Sequence, residues 1–124
     1  MTSFERSRPV LEGGWVLTGT NSAGVPIKLA FGETELSRAY LGVTIGRHPA
    51  LCDRVIDDPG VSRRHLRVGI ADGRLFAEDL NTLNGTFLDG EPLQPFRPTP
   101  LSPDQVLSLG QVVLTVSRLS DEAD

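Results

Sequence analysis

Cysteine is almost missing from this chain. Cys52 stands alone among 124 residues, which excludes an internal disulfide framework and any cysteine-built zinc cluster. A lone cysteine of this kind is expected to be a small buried apolar residue, compatible with a reducing compartment. Long apolar runs are missing too. No stretch reaches the length of a membrane span, and Met1 to Pro9 lacks an apolar run of signal-peptide length. The expectation is a soluble, cytoplasmic protein without a membrane partner. Aromatics are sparse, five Phe, one Trp and one Tyr, and none clusters with the arginines. A stacking platform for single-stranded nucleic acid is therefore not available. The net charge of −4 argues equally against a nucleic-acid footprint.

What positive charge there is lies concentrated. Between Gly46 and Arg67 stand five arginines (47, 54, 63, 64 and 67) against three aspartates (53, 57 and 58). Elsewhere acids dominate, and the chain ends Ser-Asp-Glu-Ala-Asp. A local cationic spot on an acidic protein suits a compact anion better than a polyanion. The length fits one domain with a true hydrophobic core. Residues 1–13 read as a flexible leader, 14–119 as the domain and 120–124 as an acidic tail.

The domain reads as strands. Trp15–Thr20 and Pro26–Phe31 flank the turn Asn21-Ser22-Ala23-Gly24. Tyr40–Ile45 ends at Gly46, and Arg54–Ile56 is a short strand. His65–Ile70 and Arg74–Leu80 flank Asp72-Gly73, and Thr86–Leu88 and Glu91–Leu93 flank Asp89-Gly90; Asp-Gly is a strong hairpin signal. The proline-rich 94–104 should be an extended loop. Gln105–Leu109 and Gln111–Ser117 close the domain around Gly110. A helical turn fits only within 32–39 or 101–106. About nine short strands with close turn signals predict an all-β protein, a two-sheet antiparallel β-sandwich.

One loop carries unusual chemistry. Gly60-Val61-Ser62-Arg63-Arg64-His65 puts a hydroxyl, two guanidiniums and an imidazole into six residues. Such a turn can offer a hydroxyl, backbone N–H groups and guanidiniums to one oxyanion. The planar fork of Arg donates two parallel hydrogen bonds to phosphate, which presents three acceptor oxygens. Each charge-assisted bond contributes roughly 1.5–3 kcal/mol net. Three of them supply much of a micromolar affinity, about 8 kcal/mol. Taken singly, each feature has a plainer reading: an exposed Arg pair, an Asn-Gly turn, a structural histidine.

The combination is more specific. Gly46-Arg47, then Ser62-x-x-His65, then Asn84-Gly85-Thr86, in this order on a β-rich chain, resembles the forkhead-associated (FHA) domain. The surrounding Ile45–Pro49, Asp57–His65 and Asp79–Gly90 are similar as well, and the resemblance runs from about Trp15 to Leu119, as in small bacterial single-domain members. It implies a sandwich whose loops at one end bind phosphothreonine peptides. By position, Arg47 and Ser62 would hold the phosphate, helped by the backbone at Arg63, and Asn84 would clamp the peptide main chain as both donor and acceptor. Gly46 and Gly85 are expected to be left-handed backbone positions. His65 would brace the Ser62 loop, and Thr86 would sit beneath the Asn84 turn. Arg64 faces the peptide flank or solvent, and Arg67 an exposed strand face. Leu83 stands where the family often has Ser or Thr; Thr82, pointing the other way, does not replace that hydroxyl. Arg54 replaces a common aliphatic and should occupy an edge or exposed site. Gly60 stands where some members place a side chain that reads the peptide beyond the phosphothreonine.

The resemblance further implies a phosphothreonine-containing protein as partner, a Ser/Thr kinase and a phosphatase acting upstream, and no cofactor or metal. A monomer is expected, with self-association through a phosphorylated leader (Thr2, Ser3 or Ser7) as a further option. Two rivals exist. Ser62, His65 and Asp79 could be cast as a hydrolase triad, but no Gly-x-Ser-x-Gly elbow frames the serine, so an enzyme is not expected. The alternative reading is a phosphate-independent interaction module on the same fold.

Overall fold

The computed structural model describes residues 13–38 and 42–119. Among them run eleven strands and one helical turn: β1 (Gly14–Thr20), β2 (Pro26–Gly32), α1 (Glu33–Leu36), β3 (Val43–Gly46), β4 (Arg54–Val55), β5 (Leu66–Ala71), β6 (Arg74–Asp79), β7 (Thr86–Leu88), β8 (Glu91–Pro92), β9 (Thr99–Pro100), β10 (Val106–Leu109) and β11 (Val112–Arg118). The expected leader lies almost wholly outside the described residues, as do the acidic tail and the start of the strand expected at Tyr40.

Alternation builds the elements. In β11, Val112, Leu114 and Val116 point inward and are fully buried, while Val113 is exposed. β5 buries Leu66 and Val68 on either side of half-exposed Arg67. Two sheets result, in the orders β2-β1-β11-β10-β7-β8 and β4-β3-β5-β6-β9. Their inner faces share one core that includes Leu17, Phe31, Ile45, Leu66, Leu107 and Leu114. This is the expected all-β sandwich. Both Asp-Gly turns form as their chemistry demands. Asp72 and Gly73 take φ of 54° and 76°, Asp89 and Gly90 take 49° and 87°, and positive φ at both central residues suits the twist of a hairpin.

Three details depart from expectation. The sheet is not wholly antiparallel, because β3 pairs with β4 in parallel, Ile45 opposite Arg54. The proline-rich segment is not all loop: Thr99 and Pro100 pair with Ala77 and Phe76 of β6 as an edge strand, where proline is tolerated. The helical turn forms at Glu33–Leu36, and none forms at 101–106. Arg54 does sit on an edge strand, yet it is engaged. Its guanidinium donates to the Ala30 carbonyl at 2.9 Å and to Glu35 at 2.7 Å, and it lies over the Phe31 ring. It ties the edge of one sheet to the edge of the other.

Candidate functional site

The loops after β3, β4 and β6 meet at one end of the sandwich. Backbone bonds join the first two: Arg47 N–H donates to the Ser62 carbonyl at 3.0 Å, and His48 N–H to the Arg63 carbonyl at 3.2 Å. Gly46 makes this approach possible, for a reason different from the one expected. Its φ is not positive. A Cβ there would instead fall 2.3 Å from the Arg63 carbonyl oxygen and 2.8 Å from Cys52 Sγ. The left-handed expectation for Gly46 is therefore corrected to one of space. Gly85 does take φ of 77°, as expected.

Cys52 is also corrected. It is half-exposed, not buried, and its thiol donates to the Arg63 carbonyl at 3.0 Å. Partial burial raises its pKa, opposed by a backbone hydrogen bond from His48 and by the charge of Arg64, so the thiol form is favoured.

Arg47 is folded under the Ser62 loop. Its Nε donates to the Val61 carbonyl at 3.0 Å. That bond fixes the guanidinium plane and leaves the two terminal nitrogens for something else. Arg47, Ser62, Arg63 and Arg64 line one open depression with Leu51, Leu80 and Asn81. The Ser62 N–H is already spent, donating to His65 Nδ1 at 3.0 Å. What Ser62 offers the depression is its hydroxyl.

His65 is fully buried and its ring is read at both ends. Since Ser62 N–H must donate to Nδ1, Nδ1 carries no proton. Nε2 carries it and donates to the Gly85 carbonyl at 3.1 Å. The tautomer is thus fixed by its partners. Burial lowers the pKa of His65, opposed by its bond to Gly85 and by the charge of Asp79, whose Oδ1 stands 4.0 Å from Nε2. The neutral imidazole is a brace between two loops, and neither ring nitrogen addresses the Ser62 hydroxyl. This geometry is not that of a Ser-His nucleophile pair.

The loop after β6 folds around the carboxylate of Asp79, which acts here as an anchor and not as a triad member. Asp79 is 2% exposed. Its Oδ2 accepts from the N–H groups of Asn81 and Thr82 at 3.0 and 3.2 Å. Its Oδ1 accepts from the hydroxyls of Thr82 and Thr86 at 2.8 and 2.6 Å. Thr82 Oγ1 in turn accepts from Gly85 N–H at 3.0 Å. Thr86 is buried beneath the turn, and Thr82 is committed inside it. Leu83, at the tip, is 93% exposed.

Asn84 and Arg47 line different depressions. Asn84 Nδ2 donates to the Gly60 carbonyl at 2.9 Å, and Asn84 lines a second depression with Ser22, Asp58, Pro59, Gly60, Gly110 and Gln111. The two depressions share no lining residue: Gly60 lines one and Ser62 the other. Asp58, also unforeseen, anchors the Gly60 backbone. Its Oδ2 accepts from the hydroxyl and N–H of Ser22 at 2.6 and 2.8 Å, and its Oδ1 from Gly60 N–H at 3.0 Å. The Ser22 hydroxyl bond, with the two backbone bonds, lowers the pKa of Asp58 against burial. An Asp-Pro-Gly run is a visible turn signal, but a partner 36 residues away is not. Arg67 does not simply face solvent: it pairs with Glu78 across the strands and lies over Phe76.

The FHA domain family model matches residues 43–110. An oxoglutarate dehydrogenase inhibitor of Corynebacterium efficiens is 45% identical over 49 residues, which cover 40% of this chain and 34% of that protein. A nuclear inhibitor of protein phosphatase 1 from Homo sapiens is 39% identical over 67 residues, 52% of this chain and 19% of that one. The match thus spans about a third or less of the length of these curated relatives. A solved domain from a study of phosphothreonine-dependent FHA domain interactions is 27% identical with a TM-score of 0.62, covering 84% of this chain and 95% of the other.

Proposed function

The chain belongs to the forkhead-associated (FHA) family, and from that premise we propose that residues 14–119 form a module that binds phosphothreonine on a partner protein. Arg47 and Ser62 hold the phosphate, the Arg63 backbone N–H assists, and Asn84 engages the peptide main chain. The observation that carries the reading is the Arg47 Nε bond to the Val61 carbonyl. It pre-orients a guanidinium beside the Ser62 hydroxyl, so little side-chain freedom is lost on binding. Arg63 N–H makes no hydrogen bond among the described residues and adds a donor to the same place. Asn84 keeps its carbonyl oxygen and one amide hydrogen for a peptide backbone after serving Gly60.

The module recognises a partner and catalyses nothing, in keeping with its family. Its partner is the product of a Ser/Thr kinase, and a phosphatase resets the interaction. No helix among the described residues is long and apolar enough to cross a membrane.

Titration with a phosphothreonine peptide library, with phosphoserine and unphosphorylated controls, tests the proposal. Arg47→Ala and Ser62→Ala should each weaken phosphopeptide binding about tenfold or more, from loss of one or two charge-assisted bonds. Equal binding of phosphorylated and unphosphorylated peptides, or an Arg47→Ala protein that binds as well as the parent, overturns it in favour of a phosphate-independent module.

A further inference from the structure

The charges around the phosphate depression do not balance for a single phosphate. Arg38, Arg54 and Arg67 each face a carboxylate: Asp53, Glu35 and Glu78. Arg47, Arg63 and Arg64 face none among the described residues, yet all three line one depression. A phosphothreonine brings about 1.5–2 negative charges. Three guanidiniums therefore exceed it by about one positive charge. Arg47 is held at the Ser62 hydroxyl by its bond to the Val61 carbonyl. Arg63 and Arg64 are both exposed and no bond among the described residues holds either guanidinium; with Arg63, next to Ser62, counted with the phosphate, Arg64 is the cation that remains.

We infer that the module, granted its phosphothreonine reading, selects peptides with a second anion flanking the phosphothreonine, and that Arg64 is the residue that discriminates. The second anion is an acidic side chain or a second phosphate, since a guanidinium recognises both. The rest of the chain supports the choice. Net charge is −4 despite this cationic spot, so an acidic peptide is repelled from most of the surface and steered to this end.

The test is a binding series by fluorescence anisotropy at low salt. Peptides carry phosphothreonine flanked by Ala, by Glu scanned over neighbouring positions, by phosphoserine, or by Lys, each with an unphosphorylated control. The parent should bind the best Glu-flanked peptide about threefold tighter than the Ala-flanked one, as an exposed ion pair allows, and the phosphoserine-flanked one about tenfold tighter. Both preferences should shrink at 0.5 M salt, an ionic strength at which the Debye length falls to about 4 Å. Arg64→Ala should bring the Glu-to-Ala ratio close to one while leaving binding of the Ala-flanked peptide within about twofold. Arg64→Glu should reverse the order so that the Lys-flanked peptide binds best. Arg97→Ala, in a separate depression with Leu88 and Glu91, should leave the ratio unchanged. If the Ala-flanked phosphopeptide binds but the Glu-to-Ala ratio is one in the parent, or survives both Arg64 substitutions, this inference fails and the phosphothreonine reading stands. If no phosphopeptide is preferred over its unphosphorylated control, that reading fails and takes the inference with it.

Discussion

The two loops on either side of His65 are built in opposite ways. The loop from Asp58 to Arg64 is held from outside. Ser22, Arg47 and His65 supply bonds to its carboxylate, its Val61 carbonyl and its Ser62 N–H. Its own side chains at 62, 63 and 64 are left for solvent or a ligand. The loop from Asn81 to Thr86 is held from within, around the buried Asp79 carboxylate and its four donors. Asn81, Leu83 and Asn84 are turned out. A recognition loop needs free side chains, so its fixing must come from elsewhere. A supporting loop can spend its side chains on itself. His65 is bonded to both, and Asn84 of the second loop also donates to the Gly60 carbonyl of the first.

If that contrast is right, removing the internal hub should do the most damage. Asp79→Ala leaves the N–H groups of Asn81 and Thr82, the half-buried Thr82 hydroxyl and the buried Thr86 hydroxyl without their acceptor. A stability loss of about 3 kcal/mol or more is expected by chemical denaturation, since each unsatisfied buried group costs about 1–3 kcal/mol. A loss below about 1 kcal/mol would show that the loop is held by something other than its carboxylate.

The two site glycines sharpen the same contrast with a smaller effect. At Gly46 the obstacle is the neighbouring loop: Ala places a Cβ 2.3 Å from the Arg63 carbonyl, which the Arg47 and His48 backbone bonds keep in place. At Gly85 the obstacle is its own φ of 77°, and an added Cβ would meet nothing closer than Phe87 at 3.7 Å. Gly46→Ala should cost about 1–3 kcal/mol by overpacking. Gly85→Ala should cost about 1 kcal/mol. Asn separates the two mechanisms, because Asn enters left-handed geometry and cannot remove a clash. Gly85→Asn should be milder than Gly85→Ala, and Gly46→Asn at least as harmful as Gly46→Ala. Thermal melts of the four variants check the order.

The loops' chemistry was legible in the chain, and much of their support was not. Arg47, Ser62 and His65 stand out only in combination with Asn84-Gly85-Thr86, through the resemblance to the FHA pattern, and the structure brings them together. The hairpins were legible because Asp-Gly dictates backbone angles locally. Asp58 and Asp79 are not legible as anchors because a carboxylate beside a turn looks the same whether it faces water or is buried against several donors. Burial decides, and burial is a property of the whole fold. Gly46 was misread for a related reason. Glycine announces either freedom or lack of space, and only the position of Arg63, on another loop, distinguishes them. Cys52 was placed in the core by its type, but its thiol sits at the loop junction. The β9 pairing was hidden by its prolines, which suit an edge strand and a loop equally.

The mildest way to test the joint between the loops is acid. His65 is neutral in the folded state and its pKa is lowered by burial. In the unfolded chain it titrates near its ordinary value, about 6.5. Below that pH the unfolded state binds the proton and the folded state resists it, so stability rises with pH across this window and falls as pH drops through it. Once the folded histidine is protonated, Nδ1 becomes a donor facing the Ser62 N–H, and the bond that shapes the phosphate loop is lost. Phosphopeptide binding should therefore weaken on acidification together with stability. The phosphate's own second ionisation, near pH 6, weakens binding in the same range. His65→Asn separates the two causes. Its amide can place an oxygen where Nδ1 stands, keep the acceptor for Ser62 N–H and not titrate, while the bond from Nε2 to Gly85 is given up. The variant should lose the acid dependence of its melting temperature between about pH 7 and pH 5, while the acid dependence owed to the phosphate remains. A parent protein whose melting temperature does not fall over that range would mean that the proton is accommodated at Nδ1, and that the two loops are joined by something other than the neutral imidazole.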